Sequence, residues 1–447
     1  MNVLYLRFAK NKSEVKQIKQ TIFIAILVSA IPCLANGQGI DLEGYLSILK
    51  EKNITIKQSI NQRQSSILDI RSAKASLIPS AVIESSYQRD FTKNFLFIND
   101  PDFGQTKFRT NFNNSVNINF VAQQTLYDPA ARAQVRIAKL ARNLSDLSLE
   151  QTTQELLTQG SQLFWQALFL RESLVILKKN RDLAREQWQQ MEDLFEQDVI
   201  SALEVQQTEL YYKRTLPVLA SAESSYESNL NELKVLIGLE PVEDLTLFGT
   251  IELEKSGAHN SFEASINKNI KIQAANEALS IAEEQIRASK SARAPVLKAN
   301  VGYNLNAQDN TFRFENDNQL WYGLLSLQIP LFTGGYNKAQ IEKSRINHAN
   351  ANLQIELLRL NLLKDLKNAE LSQELALQLI ESEKEAIRLS EKELEIAEER
   401  TKLGILSPLE NKELRINLTR AKLNLINAHL DLRIANSEIE AIINSNN

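Results

Sequence analysis

The residues able to do covalent or metal chemistry are few and scattered. The chain has three histidines, His259, His348 and His429, and one cysteine, Cys33. None stands at a metal-ligand spacing from another. No nucleophile elbow, phosphate-binding loop or dinucleotide fingerprint occurs. Gly334-Gly335 precedes a helical run, where a backbone anion site can form, but making the turn is its simpler use. His348 and His429 fall within helical runs and read as surface or packing residues. An enzyme, a cofactor and a bound metal are therefore not expected. The acidic residues are placed more regularly. Glu204 closes the stretch Val199-Ile200-Ser201-Ala202-Leu203-Glu204. Glu410 closes Ile405-Leu406-Ser407-Pro408-Leu409-Glu410, and Glu413 follows a turn later. A carboxylate in the first turn of a helix is stabilised by the helix dipole, so these positions are intelligible without any function. Pairs such as Glu398/Glu399 read as solvated helix faces.

The two stretches are copies in one register. Gln134 to Gln340 and Glu204 to Glu410 are both 206 residues apart. The chain therefore reads as a duplication. The expected division is a secretory signal at 1–38, a first repeat at 39–240, a connector at 241–260 and a second repeat at 261–447. The first repeat should hold a helix over 41–77, a strand pair within 80–127, a long helix over 130–197, a tip at 198–204 and a return helix over 203–237. The second should hold a helix over 261–293, a strand pair within 296–332, a long helix over 336–403, a tip at 404–410 and a return helix over 409–443. Leu156, Leu163, Leu170, Leu177, Ala184 and Met191 fall seven apart, as do Leu409, Ile416, Leu423 and Leu430. That is a heptad seam, the mark of helices packed side by side as coiled coils. Each long helix spans roughly 100 Å at about 1.5 Å per residue. The two short helices of a repeat would match that length if stacked end to end.

Only 13 Gly and 9 Pro occur in 447 residues, a composition suited to long helices. Lys10, Lys12, Lys16 and Lys19 precede an apolar run at 22–34, and Ala35-Asn36-Gly37 offers small residues for cleavage. The run is shorter than the roughly 20 residues that span a bilayer. The alternatives are an uncleaved anchor or lipidation at Cys33, against which Pro32 speaks. Cleavage would remove the only cysteine and with it any disulfide. It would also remove five Lys/Arg and one Glu, taking the net charge from −4 to −8 and disfavouring nucleic acid as a partner.

Between the helices the period changes from 3.6 to 2. Val116, Ile118 and Phe120 alternate with Ser115, Asn117 and Asn119, and Leu325, Leu327 and Ile329 alternate with Ser326 and Gln328. Residues 92–114 read as a loop rich in Asn, Asp and Phe. Each strand, about 10 residues with one apolar and one polar face, fits a tilted transmembrane β-strand. Tyr87, Tyr127, Trp321, Tyr322 and Phe332 fit aromatic girdles at the interfaces with outer membrane lipid. Four strands cannot close a barrel alone, and an open edge is not tolerated in lipid. Two copies would give eight strands and a filled interior; three would give twelve and an open pore. The alternative is a soluble four-stranded sheet capping a helical stalk.

With Pro79 and Pro295 ending Ala/Lys-rich helices, the Leu331-Phe332-Thr333-Gly334-Gly335 turn and the duplicated tips, the chain resembles the outer membrane efflux protein family, the TolC-like channel-tunnels. The resemblance covers about 39–445. It implies a mainly α fold with a β-barrel part: a homotrimer in which four strands per chain build a twelve-stranded transmembrane barrel, continuous with a helical barrel crossing the periplasm. It implies a passive exit duct in the Gram-negative outer membrane for drugs, metals or proteins. The partners implied are a periplasmic adaptor and an inner membrane transporter of the RND or ABC type. Glu204, Glu410 and Glu413 match the family's acidic gate residues, and on a three-fold axis they would form rings that favour cations and bind divalent ions. Ile200, Leu203, Leu406 and Leu409 match the surface that meets the adaptor. One departure stands out. Leu406 and Thr401 occupy the places of an arginine and a tyrosine that lock the family's gate, so Arg400 or Lys402 reaching Glu204 is the substitute to expect. The competing function is a secreted coiled-coil structural or adhesive protein without a channel.

Overall fold

The structure, a computed structural model, describes residues 39–100, 104–252, 266–314, 317–402 and 408–443. The expected signal at 1–38, the later part of the connector and the apex of the second tip lie outside the described residues. The described chain is mainly helical with antiparallel strands.

The helix expected over 41–77 is two helices, α1 (Leu42–Lys52) and α2 (Ile54–Ala75). Asn53 makes the break. Its ψ of 131° leaves the helical region, and its Oδ1 accepts from the Ile56 amide at 3.0 Å, which starts a new helix. Then come β1 (Ser80–Arg89), β2 (Phe95–Asp100), β3 (Gly104–Arg109) and β4 (Asn114–Tyr127). The stretch read as a loop at 92–114 thus carries a hairpin, because Phe95, Phe97 and Phe108 give it strand-forming residues. Next are α3 (Pro129–Glu196, 68 residues) and α4 (Ala202–Leu236, 35 residues). Pro129 sits at the first helical position, where its missing N–H costs nothing, and Asp128 caps the Ala131 amide at 3.0 Å. After the connector follow α5 (Ile270–Ser291), β5 (Val296–Asp309), β6 (Asp317–Gln328), α6 (Tyr336–Lys402, 67 residues) and α7 (Pro408–Ile443, 36 residues).

The helices form four columns. α3 packs against α2 and α4 on one side and α5 and α7 on the other, and α6 packs against α5 and α7. Two columns are single long helices. The other two are stacks of two shorter ones, and a buried asparagine makes each joint. Asn53 caps α2 and donates Nδ2 to the Leu236 carbonyl, at the end of α4, at 2.7 Å. Asn269 caps α5, accepting from Lys271 N at 2.9 Å, and donates Nδ2 to the Ile442 carbonyl near the end of α7 at 3.0 Å. One side chain therefore satisfies an orphan donor of one helix and an orphan acceptor of the next.

The main core lies at this waist, around Tyr45, Leu49, Phe164, Leu168, Leu233 and Ile237. Gly160 lets α1 approach α3 closely, since a Cβ there would come within 2.7 Å of Leu49 Cδ1. The connector crosses the same level. Leu247 bridges to Ile40, and Leu245, Leu247 and Ile251 are buried. One arginine from each half holds it. Arg171 of α3 donates to the carbonyls of Leu247 (2.7 Å) and Gly249 (2.6 Å). Arg433 of α7 donates to those of Ile251 (3.1 Å) and Glu252 (2.7 Å).

His429 of α7 is 3% exposed and its Nδ1 has no hydrogen-bond partner among the described residues. Burial lowers its pKa; Glu252 opposes the shift, while Lys384 and Arg433 add to it. Because the folded value is depressed, the unfolded chain holds more protons below the ordinary value of 6.5, so this group's contribution is intact above that pH and is lost as pH falls through the folded value. Burial raises the carboxyls of Glu172 and Asp431, which act with the opposite sign in acid. Comparison with His429→Gln separates the two: the variant should lose less thermal stability than the parent between about pH 7 and pH 5. Parallel stability–pH curves would refute the assignment.

Candidate functional site

Two places differ from ordinary helical packing: the four-stranded sheet at one end and the helix tips at the other. The sheet order is β1-β4-β5-β6, all antiparallel. Since side chains alternate between faces, the register sorts every residue. Ile83, Phe120, Tyr303 and Trp321 form one row across one face. Ala122 with Val301, Ile118 with Leu305 and Ala299 with Leu325 extend that face, which is apolar. The other face carries Asn117, Asn119, Asn304, Asn306 and Gln123, with Asn304 Nδ2 donating to Asn117 Oδ1 at 2.8 Å. Among the described residues, both outer strands, β1 and β6, lack a partner on one side.

The five aromatics expected at the interfaces fall out differently. Tyr87 lies on the apolar face near the loop end, bonded through its hydroxyl to Asn114 Oδ1 at 2.9 Å and packed edge-on against Phe312. Tyr127 lies at the helix end. Strict alternation would give it the polar face, but the register shifts between Thr125 and Tyr127, which sets Tyr127 opposite Leu297 on the apolar side. A bulge re-aims one side chain in just this way. Phe332, after β6, is 89% exposed. Trp321 is within β6 on the apolar face, its ring tilted at 42° against that of Tyr303 with 4.7 Å between centroids. Tyr322, its neighbour, turns to the polar face and lies over Gly302. From Tyr87 to Tyr127 the apolar face runs about 11 residues along β4, about 36 Å of strand. Tilted by about 40°, that gives a band of about 28 Å, close to the apolar band of an outer-membrane barrel.

At the first tip α3 ends at Glu196, Asp198 takes a positive φ of 57°, and Ser201 starts α4. Glu204 accepts from the Ser201 amide at 2.9 Å and from its hydroxyl at 3.0 Å, the capping-box contact. That fixes where its charge sits. Leu203 is 62% exposed and Ile200 is half-buried. At the second tip Leu406 lies outside the described residues. Leu409 and Glu410 are in the first turn of α7, and Glu413 is exposed on the next. Behind this tip Arg415 pairs with Glu398 at 2.7 Å, tying α7 to α6.

One feature escaped the sequence. α4 and α7 flank a groove of about 410 Å³ whose floor is α3. Asn180 of α3 accepts from the Tyr211 hydroxyl of α4 at 3.0 Å, with Thr419 Oγ1 of α7 3.3 Å from the same oxygen. Arg214 and Arg420 stand at its rims. Helix periodicity gives the face of each residue but not which three helices converge.

The model of the family described as "Outer membrane efflux protein" matches residues 45–239 and 263–445. Outer membrane protein TolC of Vibrio cholerae is 22% identical over 390 residues, 86% of this chain and 85% of that protein. Among solved structures, the Campylobacter jejuni CmeC outer membrane channel superposes with a TM-score of 0.79 at 14% identity, over 90% of this chain and 85% of that one. CusC, described with transmembrane channel formation, gives 0.76 at 15% identity, over 92% and 96%. The long helices, the two-faced sheet and a match spanning both halves agree: this chain belongs to the outer membrane efflux protein family.

Proposed function

We propose that this protein is the outer-membrane duct of a tripartite efflux or type I secretion system. The observation that carries the reading is the two-faced sheet whose two edges are unpaired among the described residues. In lipid, unpaired strand edges leave backbone groups without partners, at several kcal/mol each. β1 of one copy pairing with β6 of the next removes them, and three copies give a twelve-stranded barrel with an open lumen. The apolar face meets lipid, with Tyr87 at one rim and Tyr127 and Phe332 at the other. The helical columns close into a barrel across the periplasm. The whole is a passive exit path.

The tips are the gate and the docking end. Glu204, Glu410 and Glu413, repeated around a three-fold axis, form acidic rings, with Arg400 or Lys402 holding Glu204 in the closed state. Ile200, Leu203, Leu406 and Leu409 meet a periplasmic adaptor, and the groove between α4 and α7, with Arg214 and Arg420 at its rims, receives its helices. An RND or ABC-type transporter of the inner membrane supplies the cargo. The 1–38 segment directs export.

The mature chain should fractionate with outer membranes, run as a trimer in mild detergent and conduct ions in planar bilayers. Glu204→Gln should raise its conductance. A soluble, non-conducting monomer would favour a secreted coiled-coil structural protein, and an unchanged Glu204→Gln current would remove the lock.

A further inference from the structure

The polar face of the sheet is interrupted by an apolar patch in the middle of β6. Across β1, β4 and β5 it carries Ser80, Glu84, Asn119, Gln123, Asn300 and Asn304 among others, but between Asn318 and Ser326 β6 contributes Leu320, Tyr322 and Leu324 to it. One register row, Val82–Val121–Gly302–Tyr322, continues this apolar character across the sheet. Over residues 320–325 strand β6 is thus apolar on both sides, since Trp321 and Leu325 occupy the other face. Its two leucines on this side are 59% and 52% exposed. Of the residues on this face within the four strands, only Glu84 and Lys298 are charged at neutral pH.

Gly302 shapes the strip. A Cβ on residue 302 would come within 2.2 Å of Tyr322 Cζ. The ring therefore leans across onto the glycine of β5, lying over the sheet beside the line of Leu320 and Leu324 rather than projecting outward. An upright tyrosine would obstruct a lumen; a flat one offers a stacking surface on its wall.

We propose that Leu320, Tyr322 and Leu324, extended by Val82 and Val121, are a contact site on the lumen wall for organic solutes with a flat apolar face. The inference rests on the duct reading, which turns this face inward. An isolated tyrosine flanked by leucines has little to offer a hydrated metal ion, which takes oxygen ligands such as carboxylates. It suits an amphipathic or aromatic molecule, which gains by covering the strip and leaves its polar groups to the asparagine-rich remainder. Because the site is open on one side, contact is brief, as passage through a duct requires.

The test is single-channel recording of the full mature trimer with two monovalent cations of equal charge, tetraphenylphosphonium and tetramethylammonium. Tetraphenylphosphonium should interrupt the current and tetramethylammonium should not. In the Leu320→Asn/Leu324→Asn double variant the residence time should fall about tenfold, and Tyr322→Ser, as a separate variant, should shorten it also. Glu84→Gln should leave it nearly unchanged. Equal residence in the parent and both lumen variants, each with normal open conductance, would overturn the site; so would a block abolished by Glu84→Gln alone. A parent trimer that conducts no ions would instead overturn the duct reading beneath it.

Discussion

Alanine at Asn269 should lower the stability of the folded chain by about 2–4 kcal/mol, among the largest single-residue effects outside the apolar core. The residue is 2% exposed and serves two helices at once. Its Oδ1 caps α5 through the Lys271 amide, and its Nδ2 reaches the Ile442 carbonyl of α7. Losing the cap costs about 1 kcal/mol. Leaving a buried carbonyl without a partner costs about 1–3 kcal/mol more. Asn53→Ala removes the corresponding joint between α2 and α4, where the bonds are 3.0 and 2.7 Å. Serine is nearly as good a cap as asparagine but is too short to reach the next helix, so Asn269→Ser should recover only the first part of the loss. Thermal unfolding followed by circular dichroism in detergent measures this. If Asn269→Ser and Asn269→Ala were equally damaging, the cap would contribute nothing and only the bridge would matter.

Arg433→Ala should destabilise the waist by about 2–4 kcal/mol, and Arg433→Lys should not restore it. The guanidinium spans two consecutive carbonyls, Ile251 and Glu252, with a planar fork that an ammonium cannot reproduce. It also lies 4.1 Å from the centroid of the Trp165 ring, a cation–π contact between α7 and α3. Ile251 is fully buried, so its carbonyl gains no water when the arginine is lost. The variant should open the connector to limited proteolysis while leaving the sheet end protected. Cleavage kinetics identical to the parent would mean that Arg171, on the other half, holds the connector alone.

The element plan was readable because its signals are local. Helix periodicity over dozens of residues, Pro79 and Pro295 as stops, and the change from period 3.6 to period 2 give a mainly helical chain with antiparallel strands. The long helix expected over 130–197 is Pro129–Glu196, and that expected over 336–403 is Tyr336–Lys402. Glu204 was legible as a first-turn residue for the same reason, since the return helix expected over 203–237 begins just before it; the capping box with Ser201 is what the structure adds. The break at Asn53 was not legible. Asparagine is tolerated in a helix interior, and only the Leu236 carbonyl, 183 residues away, gives its side chain a reason to leave.

The aromatics show the same boundary. The sequence by itself determined that Tyr127, Trp321 and Tyr322 lie near strands and that the strands have two unlike faces. Which face each ring takes required the pairing register. The shift at Thr125/Tyr127 moves Tyr127 across to the apolar side, and β5 pairing sets Tyr322 over Gly302 on the polar side. A shift of one residue exchanges the two faces of a strand, and that offset is fixed by hydrogen bonds to a neighbour far away in the chain. The groove between α4 and α7 has the same origin, since three helices meet at Asn180 from positions 31 and 239 residues distant. Alternation and periodicity belong to one segment and survive in its sequence. Register and convergence belong to pairs of segments, so only the tertiary structure decided them.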